Sequence, residues 1–160
     1  MKSRIESLGV YFPEKVLSTE ELMSRCRKRP RWDLEKLTGV RERRVVGKDE
    51  FALDLAVKAA EKALAMSKYD AGEIGLIISC SISRLCDREK VFCFEPSMAS
   101  QIKRRIGASG AMTFDVVNAC AGMFTGIYIM DSMIRAGVVK TGIVVSGESI
   151  THLADQATKE

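Results

Sequence analysis

The sequence predicts an α/β protein in which a mostly parallel sheet is covered by helices on both faces. Short apolar runs alternate with stretches of helical periodicity, in the order strand, helix, strand, helix, strand, helix, strand. Two of these runs are nearly continuous rather than alternating, which is typical of strands buried on both faces. Glycines at positions 107 and 137 close two of the helices. Regular alternation of strands and helices favours a parallel sheet with helical crossovers.

The first third of the chain contains three short predicted elements. They are a strand over residues 4–12 that ends at Pro13, a helix over residues 22–27, and an amphipathic turn over residues 33–37 that ends at Gly39. Ser18 and Glu21 form a capping box just before the first of the predicted helices.

The rest of the chain contains three predicted helices and three predicted strands. The helices are residues 51–66, 97–106 and 121–136, and the strands are residues 73–82, 111–117 and 142–147. A loop of mixed charge over residues 83–95 precedes the second of these helices. We expect Gly126 to let the last helix pack closely. Because no repeat or linker interrupts this order, we expect one domain over residues 1–160.

The composition is that of a soluble globular protein, with 46% apolar and 29% charged residues. No basic and apolar leader begins the chain, and the longest uncharged stretch, residues 116–130, is too short to span a bilayer. Five cysteines occur without a C-x-x-C pair, and we interpret the single histidine, His152, as an ordinary surface or boundary residue. We therefore expect a cytoplasmic protein without a metal site.

The net charge of +4 is concentrated in one segment. Residues 25–48 hold ten Lys or Arg and three acidic residues, a local excess of seven. A basic segment favours an anionic partner, for which a phosphorylated cofactor, an acidic carrier protein and nucleic acid are candidates. The alternative is a solvated surface of helix and loop.

Cys120 lies between the end of a predicted buried strand and the start of a predicted helix. Ligands bind at the C-terminal ends of parallel strands, and a helix N-terminus favours a thiolate. A thiolate there can attack a thioester carbonyl, and the small neighbours Ala119, Ala121 and Gly122 leave room for substrate and for N–H donors. The alternative is a buried free cysteine in a core helix.

Four segments resemble the ketoacyl synthase III branch of the thiolase superfamily. They are N-A-C-A-G at residues 118–122, T-G-V-R-E-R at 38–43, the strand at 139–145 and the opening strand at 9–13. They follow the family's order and cover essentially the whole chain. The resemblance implies the N-terminal half of a thiolase-like fold, with Cys120 as the acylated nucleophile. It also implies a homodimer in which the strand 111–117 pairs with its twin across a two-fold axis.

Glu95 belongs to an E-P-S sequence at residues 95–97. This sequence is similar to the enzymes of head-to-head olefin biosynthesis, in which the glutamate reaches the partner subunit's active site and acts as a base. The resemblance therefore makes Glu95 a second catalytic candidate. The structural alternative is an acid that complements the dipole of the helix that follows.

Trp32, Lys36 and Arg41 are the candidates for binding coenzyme A. In the family, a tryptophan here stacks on adenine, and basic side chains suit the phosphates. The chain departs from the family pattern in two respects: it has one more residue than the usual spacing between Trp32 and Thr38, and Lys36 and Leu37 stand where the family often has an arginine. For Trp32 the alternative is a surface packing aromatic.

The resemblance implies an acyltransferase that condenses an acyl-cysteine, formed from acyl-CoA or acyl carrier protein, with malonyl carrier protein. Coenzyme A thioester is then a substrate, and no permanently bound cofactor is expected. The family's histidine and asparagine come from a C-terminal half, which we expect in the same or a separate chain. Two alternatives stay open: condensation of two acyl-CoA chains without decarboxylation, and a non-catalytic thiolase-fold subunit. A nucleic-acid-binding role has no recognition motif in its favour.

Overall fold

The computed structural model describes residues 2–26, 31–84, 86 and 92–150. The chain divides into two compact units. The larger is built from the residues up to Tyr11 and from Phe51 to Glu148. The smaller is built from the described residues between Phe12 and Glu50 and from Ser149 and Ile150. His152 lies outside the described residues.

The smaller unit contains β1 (Val16–Ser18), α1 (Thr19–Arg25), α2 (Leu34–Thr38) and β2 (Glu42–Arg44). β1 and β2 pair antiparallel, which the sequence did not predict because each strand is only three residues long. Ser18 caps α1 by accepting the N–H of Glu21 at 3.0 Å, so the predicted capping residue begins the helix, which then ends at Arg25. α2 ends at Gly39, as predicted, with that residue at φ 70°.

The larger unit contains three helices and three strands that lie within their predicted ranges. They are α3 (Ala52–Ala65), β3 (Leu76–Ser79), α4 (Met98–Ile106), β4 (Met112–Asp115), α5 (Gly122–Arg135) and β5 (Gly142–Val145). The strands pair in the order β4-β3-β5, and both pairings are parallel. The prediction of a parallel sheet with helices is confirmed.

The prediction of a first strand over residues 4–12 is wrong, because this segment does not form a strand in the structure. The backbone of this segment lies instead against α3. The approach is so close that a Cβ on Gly9 would come within 2.1 Å of the Ala59 carbonyl oxygen. Ile5, Leu8 and Val10 are exposed. Alternating apolar residues form a strand only where a neighbouring strand takes up the backbone hydrogen bonds, and here no described strand does so.

The side chains of β3 alternate between two apolar clusters. Ile77 packs with residues of α3 and α4, whereas Leu76 and Ile78 pack with Met130 of α5. All three β3 side chains are fully buried, and burial of each contributes about 1.5–3 kcal/mol. β3 is therefore the centre of the unit, covered on both faces.

Gly126 allows α5 to approach this sheet closely, as predicted. A Cβ at this position would lie 2.6 Å from the Cys80 Sγ and 2.8 Å from Val144 Cγ1. The close approach places the start of α5 next to the ends of β3 and β5. Cys120 lies immediately before that start.

Candidate active site

Three parallel strands end at one edge of the sheet, and the candidate nucleophile follows one of them. The paired register ends at Ser79, Asp115 and Val145. Val116 continues the ladder by donating its N–H to the Ser79 carbonyl at 2.8 Å. In open α/β sheets, this edge is where ligands bind.

Cys120 sits in a short 3-10 turn, Ala119–Ala121, that leads directly into α5. The Cys120 side chain is exposed. The alternative of a cysteine buried in a core helix is therefore wrong for this structure. Gly122 begins the helix beside β3, where a Cβ would meet the Cys80 carbonyl oxygen at 3.3 Å. A small residue after Cys120 thus keeps the turn close to the strand ends.

The turn that presents Cys120 is held by local hydrogen bonds. Ala119 adopts φ 41°, a left-handed conformation that is uncommon for a residue with a side chain. The Ala121 N–H donates to the Asn118 carbonyl at 3.0 Å. The Asn118 amide donates to Thr125 Oγ1 at 2.9 Å, and that hydroxyl donates to the Ala121 carbonyl at 3.0 Å. These contacts stabilise an otherwise unfavourable backbone, a pattern found at functional sites.

The other cysteines are less accessible than Cys120. Cys26, Cys86 and Cys93 are partly buried, and Cys80 is buried at the end of β3. Burial raises the pKa of the Cys80 thiol, and the nearby Asp115 carboxylate raises it further, while a backbone hydrogen bond from Gly126 opposes both. Cys80 is therefore a poor nucleophile at neutral pH.

Glu95 is exposed and lies just before α4. The N–H groups of the first turn of α4 donate to other acceptors: those of Met98 and Ala99 to Asp115, that of Ser100 to Ser97 Oγ, and that of Gln101 to the Ser97 carbonyl. These N–H groups therefore make no hydrogen bond with the Glu95 side chain, and the alternative that Glu95 complements the dipole of α4 stays a prediction. In the described part of the chain, no hydrogen bond or ion pair joins Glu95 to Cys120. The roles of Cys120 as nucleophile and of Glu95 as base stay predictions.

Asp115 and Glu148 are hydrogen-bonded carboxylates at the C-terminal edge of the sheet, and sequence reasoning missed both. The Glu148 carboxylate accepts N–H bonds from Ile82 at 2.7 Å and Ser83 at 3.0 Å, so it ties the loop after β3 to the chain after β5. Asp115 is the one charge in an apolar strand, which could have marked it as a buried, hydrogen-bonded carboxylate. Glu148 had no comparable sequence pattern.

The coenzyme candidates lie in the smaller unit. Lys36 and Arg41 line an open cavity of about 450 Å³ together with Asp33, Glu35 and Gly39. The Lys36 ammonium is 3.4 Å from Asp33, and the Arg41 guanidinium is 3.5 Å from Glu35. The two predicted basic residues are thus brought together, but each already faces a carboxylate.

Trp32 precedes this cavity in the sequence, and its side chain is 71% exposed. It is therefore accessible for stacking on a planar ring. The alternative, a packing aromatic, has little buried area to support it here.

The described residues include no helix long and apolar enough to cross a membrane. The sequence profile of the family 3-Oxoacyl-[acyl-carrier-protein (ACP)] synthase III matches residues 114–160, which include Cys120. Beta-ketoacyl-[acyl-carrier-protein] synthase III of Yersinia pseudotuberculosis is 34% identical over 155 residues, which are 97% of this chain and 46% of that protein. The protein of the same name from Rickettsia bellii is 32% identical over the same shares. The chain thus spans about half the length of the curated relatives it matches.

Solved structures show the same fold. Cerulenin-bound OleA of Xanthomonas campestris aligns with a TM-score of 0.88 at 30% identity, over 99% of this chain and 48% of that one. The 3-oxoacyl-[acyl-carrier-protein] synthase III from Aquifex aeolicus aligns with a TM-score of 0.80 at 28% identity, over 93% and 46%.

The fold and the strand-to-helix cysteine define a thiolase-like protein. Within that superfamily, the chain belongs to the ketoacyl synthase III-like branch, which includes both kinds of similar structure. The predicted family and fold are confirmed.

Proposed function

We propose that this chain supplies the nucleophilic half of an acyltransferase of the β-ketoacyl synthase III type. The observation that carries the proposal is the exposed Cys120, held in a constrained turn at the start of α5 and at the C-terminal edge of a parallel sheet. Cys120 is exposed, whereas the other four cysteines in the described part of the chain are partly or fully buried. This arrangement suits attack on a bulky thioester that approaches from solvent.

In the first step, the Cys120 thiolate adds to the carbonyl carbon of an acyl thioester. The carbon–sulfur bond to the carrier thiol then breaks, and the carrier thiol leaves as it takes up a proton. The acyl group stays on Cys120 as a new thioester. The backbone N–H of Cys120 contributes to the stabilisation of the tetrahedral oxyanion.

In the second step, a carbanion attacks the acyl-Cys120 carbonyl and forms a carbon–carbon bond, and the bond between the carbonyl carbon and Cys120 Sγ breaks, which returns the Cys120 thiolate. Malonyl carrier protein provides the carbanion by losing carbon dioxide, and the product is a β-ketoacyl thioester. The groups that polarise the second thioester come from a C-terminal half, in the same or a separate chain. An apolar surface of α5 that includes Phe124 and Tyr128, 76% and 74% exposed, is available to contact that half.

A second candidate reaction is the condensation of two acyl-CoA chains without decarboxylation. The observation that favours it is the exposed Glu95 carboxylate, which the first turn of α4 does not use. Removal of a proton next to a thioester needs a base, whereas decarboxylation generates the carbanion without one. The E-P-S sequence at residues 95–97, which resembles that of the enzymes of head-to-head olefin biosynthesis, supports keeping this reaction beside the first.

The acyl donor is acyl-CoA or acyl carrier protein, and coenzyme A binds as a substrate. Trp32 stacks on the adenine, while Lys36 and Arg41 face the phosphates across the cavity of the smaller unit. To bind phosphate there, Lys36 and Arg41 must exchange their carboxylate partners, Asp33 and Glu35, for the ligand. The exchange costs little because the four side chains are between 49% and 87% exposed, and exposed ion pairs are weak.

The protein is proposed to act as a homodimer in the cytoplasm. β4 has β3 on one side and no described strand on the other, and the Met112 side chain is 45% exposed. Pairing with its twin removes this bare edge. The cytoplasmic location is an expectation from the sequence, in which five cysteines occur without a C-x-x-C pair.

Intact-mass measurement after incubation with acyl-CoA tests the proposal. We expect a single added acyl group, mapped to Cys120 by peptide analysis and absent from Cys120→Ser. Cys93→Ser is the matched control and should be acylated like the wild type. A folded protein that takes up no acyl group would favour the non-catalytic thiolase-fold subunit instead.

A further inference from the structure

Asp115 connects the strand that leads to Cys120 with the helix that follows Glu95. It is the last residue of β4, and its side chain is 7% exposed. Its carboxylate accepts the N–H of Met98 at 3.1 Å and the N–H of Ala99 at 2.9 Å. These are the first two residues of α4. The position of that first turn is therefore fixed from β4.

Arg84 holds the segment before Glu95. Its guanidinium lies 3.6 Å from the Asp115 carboxylate and 5.4 Å from the centre of the Phe94 ring. Its carbonyl accepts the N–H of Cys93 at 3.0 Å. The turn that carries Glu95 is thus held on its N-terminal side by Arg84 and on its C-terminal side through Asp115.

The Arg84–Asp115 pair is shielded from solvent, since the Arg84 side chain is only 13% exposed. An ion pair in such a place is screened much less than one at the surface. The Arg84 backbone has φ 27°, a conformation that persists where surrounding contacts over-determine it. Both features distinguish this pair from the exposed ion pairs of the chain.

We infer that Asp115 and Arg84 are positioning residues for condensation, because they set the place of the Glu95 turn relative to the strand that leads to Cys120. The inference rests on the proposed function, in its form where Glu95 acts in condensation. Neither residue touches the substrate. Loss of the pair leaves the Cys120 turn with its own hydrogen bonds and its packing on the sheet. Acylation therefore survives, and the second step slows.

The experiment compares Asp115→Asn and Arg84→Ala with Asp54→Asn in the complete protein that contains this chain. Asp54 is a matched control because it also accepts an N–H at a helix start, that of Phe51 at 2.9 Å, and also pairs with an arginine, Arg105. Arg84→Ala leaves both Asp115 bonds to α4 in place, so it loosens the turn without uncapping the helix. Three quantities are measured: acylation of Cys120, condensation rate, and hydrogen exchange of individual amides.

For Asp115→Asn, we expect the Met98 and Ala99 amides to exchange about tenfold faster or more, because a bond to a charged acceptor is lost. We expect condensation to slow by about 10- to 100-fold, the effect of a misplaced catalytic group, with acylation unchanged. Arg84→Ala should likewise slow condensation and leave acylation unchanged, with little change in the exchange rates of the Met98 and Ala99 amides. Asp54→Asn should change neither the exchange of the Met98 and Ala99 amides nor the rates of acylation and condensation.

Two results would overturn the inference alone. One is an acylated protein in which Asp115→Asn and Arg84→Ala condense at the wild-type rate. The other is a parallel fall of acylation and condensation, which indicates general structural damage. A wild type that is never acylated overturns the proposed function and the inference together, so the two failures are distinguishable.

Discussion

Replacing Gly126 with alanine tests how closely α5 must pack for the site to form. The new Cβ would lie 2.6 Å from the Cys80 Sγ and 2.8 Å from Val144 Cγ1, whereas carbon atoms in contact prefer about 3.5–4.0 Å. Overpacking of this kind costs about 1–3 kcal/mol. Alanine in place of glycine within a helix offsets about 1 kcal/mol of that. We expect a net loss of up to about 2 kcal/mol in the free energy of unfolding.

Urea unfolding followed by circular dichroism measures this loss. Gly72→Ala is the matched control, because a Cβ there meets nothing within 4 Å. That change should be neutral or stabilise the protein by about 0.4–1 kcal/mol. Since α5 begins directly after the Cys120 turn, Gly126→Ala should also slow acylation of Cys120, and Gly72→Ala should not.

A double-mutant cycle with Cys80→Ala identifies the cause of the loss. Removal of the Cys80 sulfur takes away the nearer of the two clashing atoms, so the double variant should be more stable than the sum of the single changes predicts. We expect a coupling of at least about 0.5 kcal/mol. Strict additivity of the two changes would refute the packing argument.

The remaining predictions concern the nucleophile, the second step and the sheet edge. Cys120 should react with iodoacetamide faster than the other four cysteines at neutral pH, as measured by peptide mapping after brief labelling, because it is the exposed one. In the complete enzyme, Glu95→Gln should leave acylation of Cys120 nearly intact and slow condensation by about a hundredfold or more if Glu95 is a base. Thr113→Pro should split the dimer, as measured by light scattering, because its N–H points away from β3.

The direction of the Thr113 N–H follows from the ladder of β4. Met112 and Val116 donate to carbonyls at Gly75 and Ser79, so the residues between them alternate and Thr113 faces the free edge. Phe114→Pro is the control, because it removes an inward donor and should unfold the chain.

Each of these predictions has a result that contradicts it. Equal labelling of Cys120 and the partly buried cysteines in a folded protein argues against the nucleophile. An unchanged condensation rate in Glu95→Gln makes Glu95 structural and leaves the decarboxylating reaction. A wild-type protein that is monomeric at micromolar concentration contradicts the predicted homodimer, and it also excludes any action of Glu95 across subunits.

The sequence by itself determined the helices and strands of the larger unit and the place of Cys120. Continuous apolar runs, helical spacing and closing glycines are local patterns, and they report burial and backbone preference directly. The same patterns were not enough at residues 4–12, because a strand depends on a partner that no local pattern reveals. The three-residue strands β1 and β2 are too short to show a period.

Only the tertiary structure decided which carboxylate accepts the N–H groups at the start of α4. Glu95 is adjacent to α4 in sequence, yet the carboxylate that accepts the first N–H groups of α4 is Asp115, from a strand that follows that helix. Arg84, from a third segment, completes the arrangement. Likewise, residue type alone does not predict that Cys120 is exposed and Cys80 is buried. Contacts between residues distant along the chain depend on how the sheet brings its loops to one edge, and that is a property of the folded whole.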